Sequence, residues 1–265
     1  MSDIRIELQG VGKHFPGKRA GEPGVQAVEN VTLAIADGEV VSLIGPSGCG
    51  KSTLLNMGAG LYLPSSGVVF VNGKRVDAPN PEVAFMLQKD LLLPWRTIRE
   101  NAELGLEIRE VNASIRRDKA LALLAKCRLQ GFENHYPHQL SGGMRQRAAL
   151  ARTLAVDPAV LLLDEPFSAL DAQTKMVLQA DLARTLSEEH KTALFITHDL
   201  VESIALSDRI LVMSKRPGTI IEEIRVDIPG RDNPMTRRRH PRVQELAAHL
   251  MTQLHVDELI AASEI

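Results

Sequence analysis

Residues 45–53 read Gly45-Pro46-Ser47-Gly48-Cys49-Gly50-Lys51-Ser52-Thr53, a glycine-rich turn that runs straight into a lysine and two hydroxyls. Such a turn suits phosphate. Glycines let the backbone wrap so that successive N–H groups face inward, and a helix starting there adds the positive end of its dipole. Lys51 would neutralise the β and γ phosphates and Ser52 would ligate Mg²⁺. A plain glycine-rich turn is the alternative, weakened by the strand-like VVSLI before the loop and the helix-like TLLNMGAG that overlaps its end.

A phosphate loop needs a carboxylate at the end of a neighbouring buried strand. Val160-Leu161-Leu162-Leu163-Asp164-Glu165 supplies two acids in that setting. Asp164 would hold Mg²⁺ through water, and Glu165 would orient an attacking water as general base; either could instead cap the next segment. Between loop and acids lies Leu140-Ser141-Gly142-Gly143-Met144-Arg145-Gln146-Arg147. Ser141 is a natural N-cap, and Gly142 and Gly143 leave N–H groups open at a positive helix end, which makes either a second anion site or a capped turn. Cys49 reads as small filler or as a low-pKa sensor beside Lys51, and Cys127 as a buried helix end.

The elements around these residues read as α/β. Strand-like runs come first, IRIEL at 4–8, VTLAI at 31–35, VVSLI at 40–44 and VVFV at 68–71. Asp37-Gly38 has the composition of a hairpin turn, and Asn72-Gly73 ends the fourth run. From about 96 to 156 the spacing becomes helical, as in 117–125 and 144–154. Apolar strands return at 160–163, 193–196 and 210–213, with a helix over 173–188 between the first two, the pattern of a parallel sheet covered on both faces. Arg237, Arg238, Arg239, His240 and Arg242 lead into an amphipathic helix over 243–254 and read as a solvated face or a docking patch.

Composition narrows the classes. The 265 residues are 44% apolar and 24% charged, ordinary values for a chain with a sizeable core. A formal net charge of −2 provides no overall field to draw in nucleic acid or an anionic membrane. No apolar run approaches the roughly 18 to 20 residues of a membrane span. The start, MSDIRIELQG, lacks the apolar block of a secretion signal, and the two cysteines have neither disulfide nor zinc spacing, so a cytosolic setting is expected.

Taken in order, the phosphate loop, Gln88, the LSGG stretch, Asp164-Glu165-Pro166, Ser168-Ala169-Leu170-Asp171 and His198 within Ile196-Thr197-His198-Asp199 resemble the ATP-binding subunit of ABC transporters over about residues 1–225. That resemblance implies a P-loop NTPase (RecA-like) parallel-sheet core with an antiparallel β subdomain and an inserted α-helical subdomain. The core with its β subdomain would comprise 1–88 and 159–226, the helical signature subdomain 89–158, and a basic helical tail 227–265. ATP and Mg²⁺ would be the cofactors. Two copies would pair head to tail, each ATP lying between one chain's Lys51 loop and the other's Ser141-Gly142-Gly143.

The resemblance also implies individual roles. Phe15 matches the aromatic that stacks on adenine, with core packing as the alternative and an insertion over 18–26 disturbing its alignment. Gln88 matches a residue that ligates Mg²⁺ and reports the attacking water to the membrane subunit; a plain strand-end amide is the other reading. His198 matches the histidine that contacts the γ-phosphate, and Asp171 the interface aspartate, against readings as a structural histidine and a helix cap. Met144 stands where the family more often has Gln.

Asp90-Leu91-Leu92-Leu93-Pro94-Trp95 lies where the family receives a coupling helix from its membrane partner, or else is subdomain core. That stretch, DEPFSALD and Ser214-Lys215-Arg216-Pro217-Gly218 resemble the nitrate, sulfonate and taurine importer branch. The implied protein is a peripheral motor at the cytoplasmic face of the bacterial inner membrane. Its partners would be a separate permease and, indirectly, an extracytoplasmic solute-binding protein, with no nucleic acid. A soluble ABC-type ATPase of DNA repair or translation would carry two motor halves, a coiled-coil insert or a basic groove, none of which is evident. A kinase or GTPase would lack the LSGG helix.

Overall fold

Alternating side chains in the first third of the chain build an antiparallel sheet. The computed structural model describes residues 3–17, 19 and 22–254. In β1 (Ile4–Phe15), Ile6, Leu8 and Val11 are buried, and in β2 (Val25–Ala36) so are Val31, Leu33 and Ile35. Most intervening residues face outward, as period two requires. β3 (Val40–Ile44) is buried throughout and leads through the glycine-rich loop into α1 (Lys51–Gly58). β4 (Ser66–Val71) pairs with β1, and a left-handed Asn72-Gly73 turn joins it to β5 (Lys74–Arg75), giving the order β2-β1-β4-β5.

A second sheet takes β3 together with β6 (Val83–Met86), β7 (Val160–Asp164), β8 (Thr192–Ile196), β9 (Arg209–Met213) and β10 (Ile220–Arg225). Its order is β10-β9-β3-β8-β7-β6, all parallel except β10. Alternate residues supply opposite faces. Val41, Leu43, Val160 and Leu162 pack toward α1 and the antiparallel sheet. Val40, Leu161, Leu163 and Phe195 pack toward the layer containing α2 (Ile98–Ile108), α3 (Ala113–Lys126), α4 (Gly142–Ala155) and α5 (Ala172–Glu188). A third cluster joins Ile44, Ile210 and Val212 to Ile204 of α6 (Leu200–Leu206). The last elements are α7 (Pro234–Arg237) and α8 (Arg242–Gln253), and Val243, Leu246 and Leu250 of α8 close that third cluster.

Two expectations are corrected. Asp37-Gly38 closes no hairpin: β2 pairs with β1, whereas β3 pairs with β8 and β9. A strand apolar on both faces belongs inside a covered sheet, so the turn hands the chain from one sheet to the other. Gly38 donates its N–H to Thr192 Oγ1 at 2.9 Å, and Asp37 pairs with Arg5 at 2.7 Å to hold the crossing. The sequence reading also passed over β6, only four residues long, and β10, an edge strand rich in glutamate.

The basic stretch is not simply a solvated face either. Arg237 is only 3% exposed and donates to the carbonyls of Ser207 (2.8 Å), Val226 (3.2 Å) and Ala205 (3.4 Å). Two of these belong to the end of α6 and the residue capping it, where carbonyls lack intrahelical partners. Burial lowers the guanidinium's pKa from its usual value. Arg238 donates to Gln179 Oε1, while Arg239 and Arg242 remain exposed. The end of the expected tail, 255–265, lies outside the described residues.

Removing Arg237 leaves buried carbonyls unpaired, so Arg237→Met is expected to lower unfolding free energy by about 3 kcal/mol. Urea titration followed by circular dichroism measures this; a loss below about 1 kcal/mol, typical of a surface substitution, would return the residue to the solvated class.

Candidate active site

Four parallel strands deliver their C-terminal ends to one edge of the sheet. Leu43 and Asp164 both stand level with Ile196, and Met86 stands level with Leu163. The loop at 45–50, Gln88, Glu165 and His198 therefore emerge side by side, at the place where parallel sheets bind ligands. They border a cavity of about 510 Å³ whose lining includes Phe15, Gly45, Ser47, Gly48, Gly50, Lys51, Ser52 and Thr53. A larger hollow of about 660 Å³ between α3 and α5 is edged by Lys126, Arg128, Asp181, Arg184 and Glu188, and no strand ends there.

The loop is shaped for an anion. Gly50 has φ 113°, and a Cβ on it would lie 2.6 Å from Val28 Cγ2 and 2.8 Å from Ala27 O. Only glycine fits. It is also the N-cap of α1 and brings no side-chain cap, whereas Thr97, Asn112, Ser141, Asp171 and Asp199 cap α2 through α6. The first N–H groups of α1 are thus unclaimed by any capping side chain. Lys51 Nζ donates to Gly45 O (2.7 Å) and Pro46 O (2.9 Å), which holds its charge over the loop. Cys49 is 1% exposed beneath it.

Behind the loop, burial raises the pKa of the Asp164 carboxyl, and the neighbouring Ser52 hydroxyl opposes the shift. A hydroxyl and a buried carboxylate make a hard, all-oxygen donor pair, which fits a Mg²⁺ ion. In front, Glu165 Oε2 accepts from Gln88 Nε2 at 3.3 Å and lies 3.6 Å from His198 Nδ1. Ser141 Oγ accepts from Met144 N at 3.3 Å and caps α4, and Asp171 Oδ1 accepts from Thr174 N at 2.9 Å and caps α5. Residues 141–143 and Asp171 do not border the cavity. The start of α4 therefore lies away from the phosphate loop within one chain.

The family model described as ABC transporter matches residues 28–168. The chain is 44% identical over 226 residues to the taurine import ATP-binding protein TauB of Yersinia pestis, covering 85% of this chain and 86% of that protein. It is 50% identical over 194 residues to the uncharacterized ABC transporter ATP-binding protein YtlC of Bacillus subtilis, covering 73% and 75%. Among solved structures, a dimeric post-hydrolysis state of the ATP-binding cassette MJ0796 bound to ADP and Pi superposes with TM-score 0.76 at 34% identity, over 83% of this chain and 98% of that one.

The chain belongs to the ABC transporter family. It is an ATP-binding subunit with the P-loop NTPase fold and an ATPase. Within this cassette, Phe15 does two things. It borders the cavity, and its ring meets Tyr62 edge-on at 5.6 Å with Lys13 Nζ 5.3 Å away. Part of the insertion beside it, Lys18, Ala20 and Gly21, lies outside the described residues. Met144 packs against the helical core cluster, a reason for an apolar side chain there. Cys127 is buried, which pushes its thiol pKa up to about 12 and leaves it inert.

The sequence reading missed Gln146. Only 4% exposed on α4, its amide donates to Glu165 O (2.9 Å) and accepts from Ala169 N (2.9 Å). Glu165 sits at φ 49°, a left-handed conformation costing about 1 to 2 kcal/mol outside glycine. Hydrogen bonds from Gln146, from Ser168 Oγ to its carbonyl (3.1 Å) and from its N–H to Ile196 O (3.1 Å) offset that cost. One sequence signal was available: a polar residue on the buried stripe of a helix. The guanidinium of Arg216 donates to Gly48 O at 2.7 and 3.0 Å across 168 residues. Nothing local in the sequence announces that contact.

If Gln146 holds the backbone of Glu165, Gln146→Leu should reduce ATP turnover roughly tenfold to a hundredfold. Its affinity for ATP, measured by fluorescent-nucleotide titration, should stay within about twofold, since the loop is untouched. Equal losses in both would make Gln146 a general packing residue.

Proposed function

We propose that this cassette is the ATP-hydrolysing motor of a bacterial importer for a small oxyanion or sulfonate, docked at the cytoplasmic face of the inner membrane on a separate permease. The observation that carries the reading is the arrangement around Gln88. Its amide meets Glu165, and a few residues on the chain presents Leu91, 53% exposed, and Trp95, 71% exposed, while Leu92 anchors the segment in the core. An exposed apolar pair so near the hydrolysis site suits a helix-in-groove contact with a membrane partner. The similarity to a taurine import protein supports the solute class. Among the described residues no helix is long and apolar enough to cross a membrane.

In this reading 1–88 and 159–226 form the motor core, 89–158 the signature subdomain and 227–265 a tail. The triphosphate lies along the cavity with its β and γ phosphates on the amides of 48–53 and Lys51, and with adenine toward Phe15. Ser52, Asp164 and Gln88 would hold Mg²⁺, which would supply charge neutralisation for the phosphates. Glu165 accepts a proton from the attacking water, and His198 contacts the γ-phosphate.

Because 141–143 lie away from their own chain's cavity, they serve a second copy, in keeping with the dimeric MJ0796 cassettes. Each ATP then joins two chains, with Asp171 at their interface. Closure requires ATP to bind the paired state much better than the open one. The extracytoplasmic solute-binding protein enters only through the permease. A soluble role in DNA repair or translation fits less well, since the formal net charge is −2 and the exposed pair beside Gln88 is apolar.

Glu165→Gln should bind ATP normally, cease turnover and accumulate as a dimer in size-exclusion light scattering. Lys51→Ala should weaken ATP binding itself by about tenfold or more. A Glu165→Gln variant that stays monomeric at saturating Mg-ATP would remove the sandwich. In liposomes carrying the native permease, with its binding protein, ATPase should rise on adding the cognate oxyanion or sulfonate. Absence of any response to the permease, with co-purifying nucleic acid, would favour the soluble role.

A further inference from the structure

The turn that carries His198 has little to hold the imidazole itself. That side chain is 69% exposed, and its 3.6 Å separation from Glu165 Oε2 is longer than a hydrogen bond. Its position is set by the backbone between Thr197, which is buried, and Asp199. Asp199 divides its carboxylate. Oδ1 accepts from Glu202 N at 3.0 Å and caps α6, and Oδ2 accepts from Lys175 Nζ at 2.8 Å. Lys175 Nζ also lies 2.7 Å from Glu202 Oε2, on a carboxyl side chain only 3% exposed. Gln179, fully buried, donates to the same Glu202 oxygen at 2.9 Å and accepts from Arg238 on the C-terminal side.

Lys175 sits one turn into α5, and its N–H bonds the carbonyl of Asp171, the cap of that helix. One ammonium thus ties the start of α5, next to Asp171, to the start of α6, next to His198. The Glu202 carboxyl is 3% exposed, Lys175 21% and Asp199 36%, and desolvation of the Glu202–Lys175 pair offsets much of its attraction, so the pair is weak support for stability. What the charges add is a single fixed distance between two helix starts.

We infer that Lys175 is a positioning residue for hydrolysis, a peg that sets His198 against the γ-phosphate by fixing Asp199 relative to Asp171. This rests on the reading of His198 as the γ-phosphate contact. The peg leaves nucleotide binding to the 45–53 loop and acts on turnover alone.

The test is a double-mutant cycle of Lys175→Met and His198→Ala in the full-length chain, read by single-turnover ATP hydrolysis over several decades of rate. Lys175→Met is expected to slow hydrolysis about tenfold to a hundredfold with ATP affinity within about twofold. In the His198→Ala background the same substitution should cost less than about threefold, because its effect runs through a histidine already removed. Lys175→Arg, which keeps the charge, should recover most of the rate.

Should Lys175→Met fold poorly, the paired Lys175→Met, Glu202→Gln variant removes the unpaired buried carboxylate and carries the same expectation. Full multiplication of the two losses, or a folded variant with unchanged rate, would overturn the inference while leaving His198 in its role. A His198→Ala variant as fast as the parent would overturn the role of His198 and the peg with it.

Discussion

The architecture depends on parallel pairing in register. Strands β6, β7, β8 and β3 run in one direction and end level with one another, so four separate stretches of chain, whose strand ends run from Ile44 to Ile196, release their next residues onto one edge. Parallel strands can be joined only by crossovers, and those crossovers are α1 with the antiparallel sheet, the α2 to α4 layer, α5 and α6. Since β3, β7 and β8 are buried on both faces, a one-residue slip would turn each side chain into the opposite layer. Hydrophobic burial therefore sets the position of polar groups that are not themselves part of the core.

Beneath that edge the polar groups are held by partners distant in sequence. Gln146 reaches from α4 to the carbonyl of Glu165, Arg216 reaches from the end of β9 to the phosphate loop, and Lys175 reaches from α5 to the start of α6. Each is a hydrogen bond or ion pair between elements that could otherwise shift independently. The left-handed backbone at Glu165 shows the effect, a conformation that costs energy yet persists because neighbours over-determine it. Strain of this kind holds the Glu165 carboxylate at the cavity edge, just past the end of its strand.

The same logic extends to the C-terminal segment. Arg237 satisfies carbonyls at one end of α6 while Asp199 caps the other, so the short helix after His198 is pinned at both termini. α8 covers the apolar face of α6 through Leu246 and Leu250. A segment rich in arginine has thus become structural, because a guanidinium's several donors suit the unpaired carbonyls at a helix end.

Much of this was legible in the amino-acid order alone. The apolar runs marked β3, β7, β8 and β9, the glycines marked the phosphate loop, and Ser141 and Asp171 have side chains that cap helices wherever a helix starts, since capping spans only three residues. These are local properties, carried by neighbours in the chain. Three things were not local. The partner of β3 was decided by which layer could cover both of its faces, so the Asp37-Gly38 turn looked like a hairpin and is a crossing. The burial of Arg237 was decided by where α6 happens to end, and the roles of Gln146 and Lys175 by contacts across 19 and 24 residues. A charged or amide side chain has the same composition on a wet surface as in a buried junction; only the fold supplies the unpaired groups that give it a task.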